Sequence, residues 1–104
     1  MTTPELLADV KERLTAAFGT RLKGVVLYGS EARGDSSPDS DIDMLVLLDE
    51  PIRLGADLQA IIDALWPLQM EVFRPIHAVP VSPSEYEAGE FSLYRNAKRE
   101  GILA

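Results

Sequence analysis

The sequence predicts a small α/β (α+β) fold in which helices flank a mixed β-sheet of about three to four strands. Three observations carry that expectation. Two short apolar runs, Leu22 to Tyr28 and Ile42 to Leu48, are bounded by turn-forming residues, the mark of buried strands. Apolar residues recur at helical spacing before the first run and after the second. A further run rich in β-formers follows, giving the order helix, strand, loop, strand, helix, strand, helix. At 104 residues the chain can bury one modest core, so residues 1–104 are expected to form a single domain.

Each element has a local reason. Thr2-Thr3-Pro4-Glu5 has capping-box spacing with proline in the first turn, and Leu6, Leu7, Val10, Leu14, Ala17 and Phe18 then form one apolar stripe that ends at Gly19. Residues 29 to 40 are rich in Gly, Ser, Asp and Pro and predict a turn and loop, with a short helical turn over Ser30 to Arg33. Asp49-Glu50-Pro51 closes the second strand. Leu54, Leu58, Ile61, Ile62, Leu65 and Trp66 mark the second helix, with Pro67 at its end. Trp66, Phe18 and Leu14 read as core residues.

The third strand is expected over Glu71 to Val81, away from the sheet centre because Pro75 and Pro80 interrupt it. Ser82-Pro83-Ser84-Glu85 is a second capping box, and a last helix spans roughly Phe91 to Glu100 and stops at Gly101.

Composition restricts the functions. With 17 acidic and 10 basic side chains the formal net charge is −7, which repels a nucleic-acid backbone, so long DNA or RNA is not an expected partner. A nucleotide bridged by divalent cations, or a basic protein, remains compatible. No apolar run approaches the roughly 20 residues needed to span a bilayer, the first residues lack signal-peptide character, and there is no cysteine for disulfides or thiolate metal sites. A cytoplasmic location is the expectation.

The chemistry concentrates in Gly29-Ser30-Glu31-Ala32-Arg33-Gly34 and the following Asp41-Ile42-Asp43. Alternate side chains of a strand share a face, so Asp41 and Asp43 project together while Ile42 enters the core. Two carboxylates on one face repel unless a cation lies between them, and oxygen ligands of this kind suit Mg²⁺. Two such ions can activate an attacking hydroxyl and steady a leaving pyrophosphate. The Gly29-Ser30 turn lets a phosphate approach the backbone, where N–H groups and a hydroxyl can cradle it. Arg33 has the reach for a charge-assisted bond to a phosphate or a loop carboxylate.

This segment, with ten residues between Ser30 and Asp41, resembles the signature of the polymerase-beta-like nucleotidyltransferase superfamily, and the small size resembles its minimal nucleotidyltransferase group. The match is specific over Tyr28 to Leu48; Pro80 to Tyr86 and Tyr94 to Leu103 also resemble the C-terminal segments of small members. The resemblance implies transfer of a nucleoside monophosphate, AMP from ATP in the leading reading, to a hydroxyl, with Mg²⁺, two ions in number. Members of the minimal group are typically encoded beside an all-helical HEPN ribonuclease toxin and act as its antitoxin, some by attaching AMP to a tyrosine of the toxin. By position, Gly29, Ser30 and Arg33 would bind the nucleotide and Asp41 and Asp43 the metals. Homo- or hetero-oligomers are both compatible with a small open sheet.

The pattern departs from the superfamily at one place. Active members use a third carboxylate on a later strand, as metal ligand and general base. Here Ile76-His77-Ala78-Val79 puts histidine where that acid is expected, and Glu71 is taken as the nearest acidic substitute. His77 itself reads as an ordinary surface or packed histidine. If no residue supplies the third carboxylate, the alternative function is a catalytically weakened nucleotide- and metal-binding module that neutralises its partner by direct contact.

Overall fold

The computed structural model describes all of residues 1–104. Helix α1 (Thr3–Phe18) opens on the expected capping box: Thr2 accepts from the Glu5 backbone N–H, and the Glu5 carboxylate accepts from the Thr2 N–H. A 3₁₀ turn (Gly19–Arg21) leads into β1 (Leu22–Tyr28), then a one-turn helix α2 (Ser30–Arg33), β2 (Ile42–Leu48) and the long helix α3 (Leu54–Glu71). Strand β3 (Ile76–Val81), helices α4 (Pro83–Ala88) and α5 (Ser92–Glu100), and a two-residue strand β4 (Ile102–Leu103) complete the chain.

The four strands lie in the order β3-β2-β1-β4, with β1 antiparallel to β2 and β4, and β2 parallel to β3. The mixed sheet flanked by helices is the one expected. Both faces are covered, which is why β1 and β2 read as continuous apolar runs. On one face Val25, Leu27, Ile42, Met44, Val46 and Leu48 pack under α1 and α3. On the other, Val26, Leu45, Leu47 and Val81 pack under Tyr86 of α4 and Ala97 of α5. The period-two alternation of β2 therefore sends Asp43, with Leu45 and Leu47, to the α4/α5 face. No helix is long and apolar enough to cross a membrane.

Three expectations are corrected: the end of the second helix, the start of the third strand and the burial of Trp66. The third strand begins at Ile76 rather than Glu71, because α3 continues past Pro67 to include Glu71. Pro67 and Asp63, whose carbonyl it leaves without a helical donor, are both exposed residues, while the fully buried Leu68 draws the last turn onto the sheet. Gln69 then fixes the connection: its amide donates to the carbonyls of Val72 (3.1 Å) and Arg74 (3.0 Å) and accepts from the Ile76 N–H (2.8 Å). Trp66 is not a core residue; it is 55% exposed, since Leu65 and Leu68 supply the turn that meets the sheet. The chain after Gly101 forms β4 on the outer edge of β1, where Ala104 and Val25 exchange both backbone bonds. As expected, β3 is an edge strand and accommodates Pro80.

Candidate active site

The residues singled out in the sequence converge at the end of the sheet where β1 finishes and β2 begins. Gly29 follows β1 with φ 75° and ψ −154°, a conformation that side-chain-bearing residues avoid. Its missing side chain matters twice, because a Cβ there would lie 2.9 Å from Asp43 Oδ2. Ser30 opens α2, whose single turn is closed by the Arg33 N–H on the Gly29 carbonyl (3.1 Å) and ended by the left-handed Gly34. The small-residue turn thus lies close against Asp43 of the carboxylate pair.

Asp41 immediately precedes β2 and Asp43 is its second residue; both are half-buried, and Ile42 between them is buried. In the sheet Asp43 is paired with Tyr28 of β1 on one side and with His77 of β3 on the other. Paired residues share a face, so His77, Asp43 and Tyr28 form one row across three strands. His77 Nδ1 lies 3.4 Å from Asp41 Oδ2 and 3.8 Å from Asp43 Oδ1. One ligand atom from each of Asp41, Asp43 and His77 falls within 4.8 Å of the others. No lysine or arginine pairs with either carboxylate. Burial, and then the charge of Asp43, raise the Tyr28 hydroxyl above its ordinary pKa.

Of the two other sequence-derived candidates, Glu71 lies away from the group and Arg33 takes the loop-carboxylate alternative. Glu71 ends α3 and is exposed, outside the Asp41–Asp43–His77 group. The position opposite Asp43 on β3 is held by His77, which local sequence had given no catalytic reading. Arg33 is ion-paired to Asp35 (3.3 Å) and Glu100 (3.4 Å), so it braces the loop against α5. Its hydrogen bond to Asp35 holds the guanidinium in its charged form more firmly than usual.

Sequence reasoning missed Arg74. Its Nε donates to the Ser40 carbonyl (2.8 Å), Nη2 to Ser40 Oγ (3.2 Å), and Nη1 to Glu31 of α2. Glu31 also accepts from Thr3 Oγ1 of α1 (2.7 Å), and the Thr3 bond, then the Arg74 pair, hold its carboxyl below the ordinary range. One guanidinium therefore fastens the turn carrying Ser30 to the residue before Asp41. Its only sequence signal is an arginine–proline step ahead of β3, which is not distinctive.

The chain resembles known proteins in sequence and in fold. A family model described as a nucleotidyltransferase domain matches residues 5–103. A protein of Methanocaldococcus jannaschii that bears the provisional name protein adenylyltransferase is 28% identical over 102 residues, covering 97% of this chain and 96% of its own. Among solved structures, a toxin–antitoxin crystal structure with AMP-PNP has a TM-score of 0.67 at 18% identity and covers 92% of this chain and 69% of that one. The toxin–antitoxin MntA–HpeT, in a mutant form, has a TM-score of 0.63 at 15% identity, covering 100% of this chain and 72% of that one. At these identities the structural likeness is one of fold.

Proposed function

Given that the chain belongs to the nucleotidyltransferase domain family, we propose that it transfers a nucleoside monophosphate, AMP from ATP, to a hydroxyl of a partner protein, and that the partner is a HEPN-type toxin which it serves as antitoxin. The observation that carries this reading is the close approach of the Gly29 turn to Asp43. With only 2.9 Å between a Cβ at Gly29 and Asp43 Oδ2, a phosphate seated on the turn is delivered beside the Asp41–Asp43 pair. The name of the Methanocaldococcus relative and the toxin–antitoxin neighbours support the acceptor and partner classes. The net charge of −7 suits a basic partner surface.

In this reading the Gly29 backbone and the Ser30 hydroxyl hold the triphosphate. The donor set at Asp41 and Asp43 fits a divalent cation such as Mg²⁺: half-buried carboxylates converge and no lysine or arginine pairs with them. When bound, the cation supplies charge neutralisation on the reacting phosphate. The acceptor oxygen bonds the α-phosphorus, the bond to the bridging oxygen breaks, and pyrophosphate leaves. Arg74 and Glu31 keep turn and carboxylates in register, and Arg33 supports the loop between them.

A second reading is favoured by one specific observation, the histidine in the row where the superfamily places its third carboxylate. In it the chain is a catalytically weakened nucleotide- and metal-binding module that silences its partner by contact. Incubation with labelled ATP, Mg²⁺ and the product of the adjacent gene separates the two. Label on the partner that vanishes with Asp41→Ala or Asp43→Ala supports transfer; a tight complex that never acquires label refutes it in favour of the binding module.

A further inference from the structure

The parallel pairing of β2 with β3 sets His77 directly opposite Asp43, with both side chains on the α4/α5 face. Its Nδ1 stands between the two carboxylates, 3.4 Å from Asp41 Oδ2 and 3.8 Å from Asp43 Oδ1. Ligands around one octahedral ion with bonds near 2.1 Å are separated by about 3.0 Å when adjacent and about 4.2 Å when opposite. The two His77–carboxylate separations fall inside that interval, and one ligand atom from each of the three side chains lies within 4.8 Å of the others, so small side-chain adjustments bring a single cation within reach of all three. The imidazole is also uncommitted: it hydrogen-bonds to neither carboxylate, and its side chain is 61% exposed.

We propose that His77 is the third protein ligand of this site, and that it tunes the site toward a first-row transition-metal cation, represented by Mn²⁺, over Mg²⁺. The inference rests on the reading that Asp41 and Asp43 hold a divalent cation. The chemistry is selective in both directions. Mg²⁺ demands oxygen ligands and gains little from nitrogen, whereas imidazole is a good ligand for the transition series. Replacing a third carboxylate by a neutral imidazole also lowers the protein's ligand charge by one, which weakens the purely electrostatic grip on Mg²⁺. Mn²⁺ keeps the octahedral oxygen chemistry that phosphate ligands need while accepting the nitrogen.

The test uses the purified full chain titrated calorimetrically with MnCl₂ and with MgCl₂, alongside pulsed electron paramagnetic resonance of bound Mn²⁺. The expected wild-type preference for Mn²⁺ over Mg²⁺ is about tenfold or more beyond that of His77→Asp, in which the oxygen ligand restores Mg²⁺ affinity. Bound Mn²⁺ should show hyperfine modulation from a directly coordinated ¹⁴N, and His77→Gln should lose that signal while still binding Mn²⁺ through the carboxylates. Equal preference in wild type and His77→Asp, with no nitrogen signal, overturns the role of His77. If Asp43→Asn keeps full affinity for both ions, the failure lies instead in the reading of the carboxylate pair on which the inference stands.

Discussion

Arg74 offers the sharpest test of how the site is held. Arg74→Ala removes the charge-assisted bonds to the Ser40 carbonyl and hydroxyl and leaves Glu31 with Thr3 as its side-chain partner. The pair is well covered, with side-chain exposures of 19% for Arg74 and 12% for Glu31. Breaking a fully buried ion pair on one side costs about 3–5 kcal/mol. Some water reaches both partners here, so a loss of about 2–3 kcal/mol is expected. For a domain of this size that lowers the melting temperature by roughly 10–20 °C.

Arg74→Lys should recover part of that stability, because an ammonium can still pair with Glu31. It should not recover metal affinity, because a point donor cannot span Glu31 and Ser40 together. Urea unfolding followed by circular dichroism gives the stability, a double-mutant cycle with Glu31→Gln gives the pair energy, and Mn²⁺ titration reads the site. A change below about 0.5 kcal/mol in Arg74→Ala, within the range of an ordinary surface substitution, together with unaltered Mn²⁺ affinity, would refute the reasoning.

Three further outcomes are expected. Gly29→Ala should cost about 1–3 kcal/mol from its backbone conformation alone and, by pushing aside Asp43 Oδ2, reduce metal affinity by more than its stability loss explains, read by the same two measurements. Gly101→Ala should loosen the C-terminal strand, because its Cβ would meet Val26 Cγ1 at 2.8 Å, Leu27 O at 3.0 Å and the Ala97 carbonyl; faster amide exchange at Ala104, whose N–H bonds Val25, checks it. Asp57, buried and held in a two-bond fork by Arg21 (3.0 Å each), has a carboxyl lowered chiefly by that hydrogen bond. A depressed folded-state pKa means stability that is present above the unfolded carboxylate range and lost as pH falls through the folded value. Asp57→Asn should therefore destabilise at neutral pH and flatten the acid limb of a pH–urea profile.

What the sequence revealed and what it withheld follow from the range of the deciding interactions. Strands β1 and β2 were legible because burial on both faces leaves an unbroken apolar run. The caps at Thr2 and Ser82 were legible because a cap is decided within four residues. Asp41 and Asp43 share a face by strand period alone. By contrast, the start of β3 is set by Leu68 reaching the core and by the Gln69 amide, neither of which leaves a periodic trace. Helix α3 carries apolar residues on two sides, and local pattern did not say that Leu65 and Leu68, rather than Trp66, would meet the sheet. His77 and Arg74 join the site only through β2–β3 pairing and the turn before it, more than thirty residues from Asp41 and Ser40.

The histidine also bears on how the two functional readings relate. A carboxylate has several lone pairs and can bind a cation while accepting a proton from the attacking hydroxyl. A neutral imidazole has one free lone pair, on a single nitrogen. Once His77 gives that pair to a metal, it has none left to take the acceptor's proton, and Glu71 at the end of α3 lies outside the group. On the proposal above, metal and nucleotide binding would survive the same substitution that removes a carboxylate base from this row. The proton of the acceptor hydroxyl would then pass to a spare lone pair of Asp41 or Asp43, to solvent, or to a group that the partner brings. On that proposal, an active transferase and a complex that merely binds would differ in which group takes the acceptor's proton at this row.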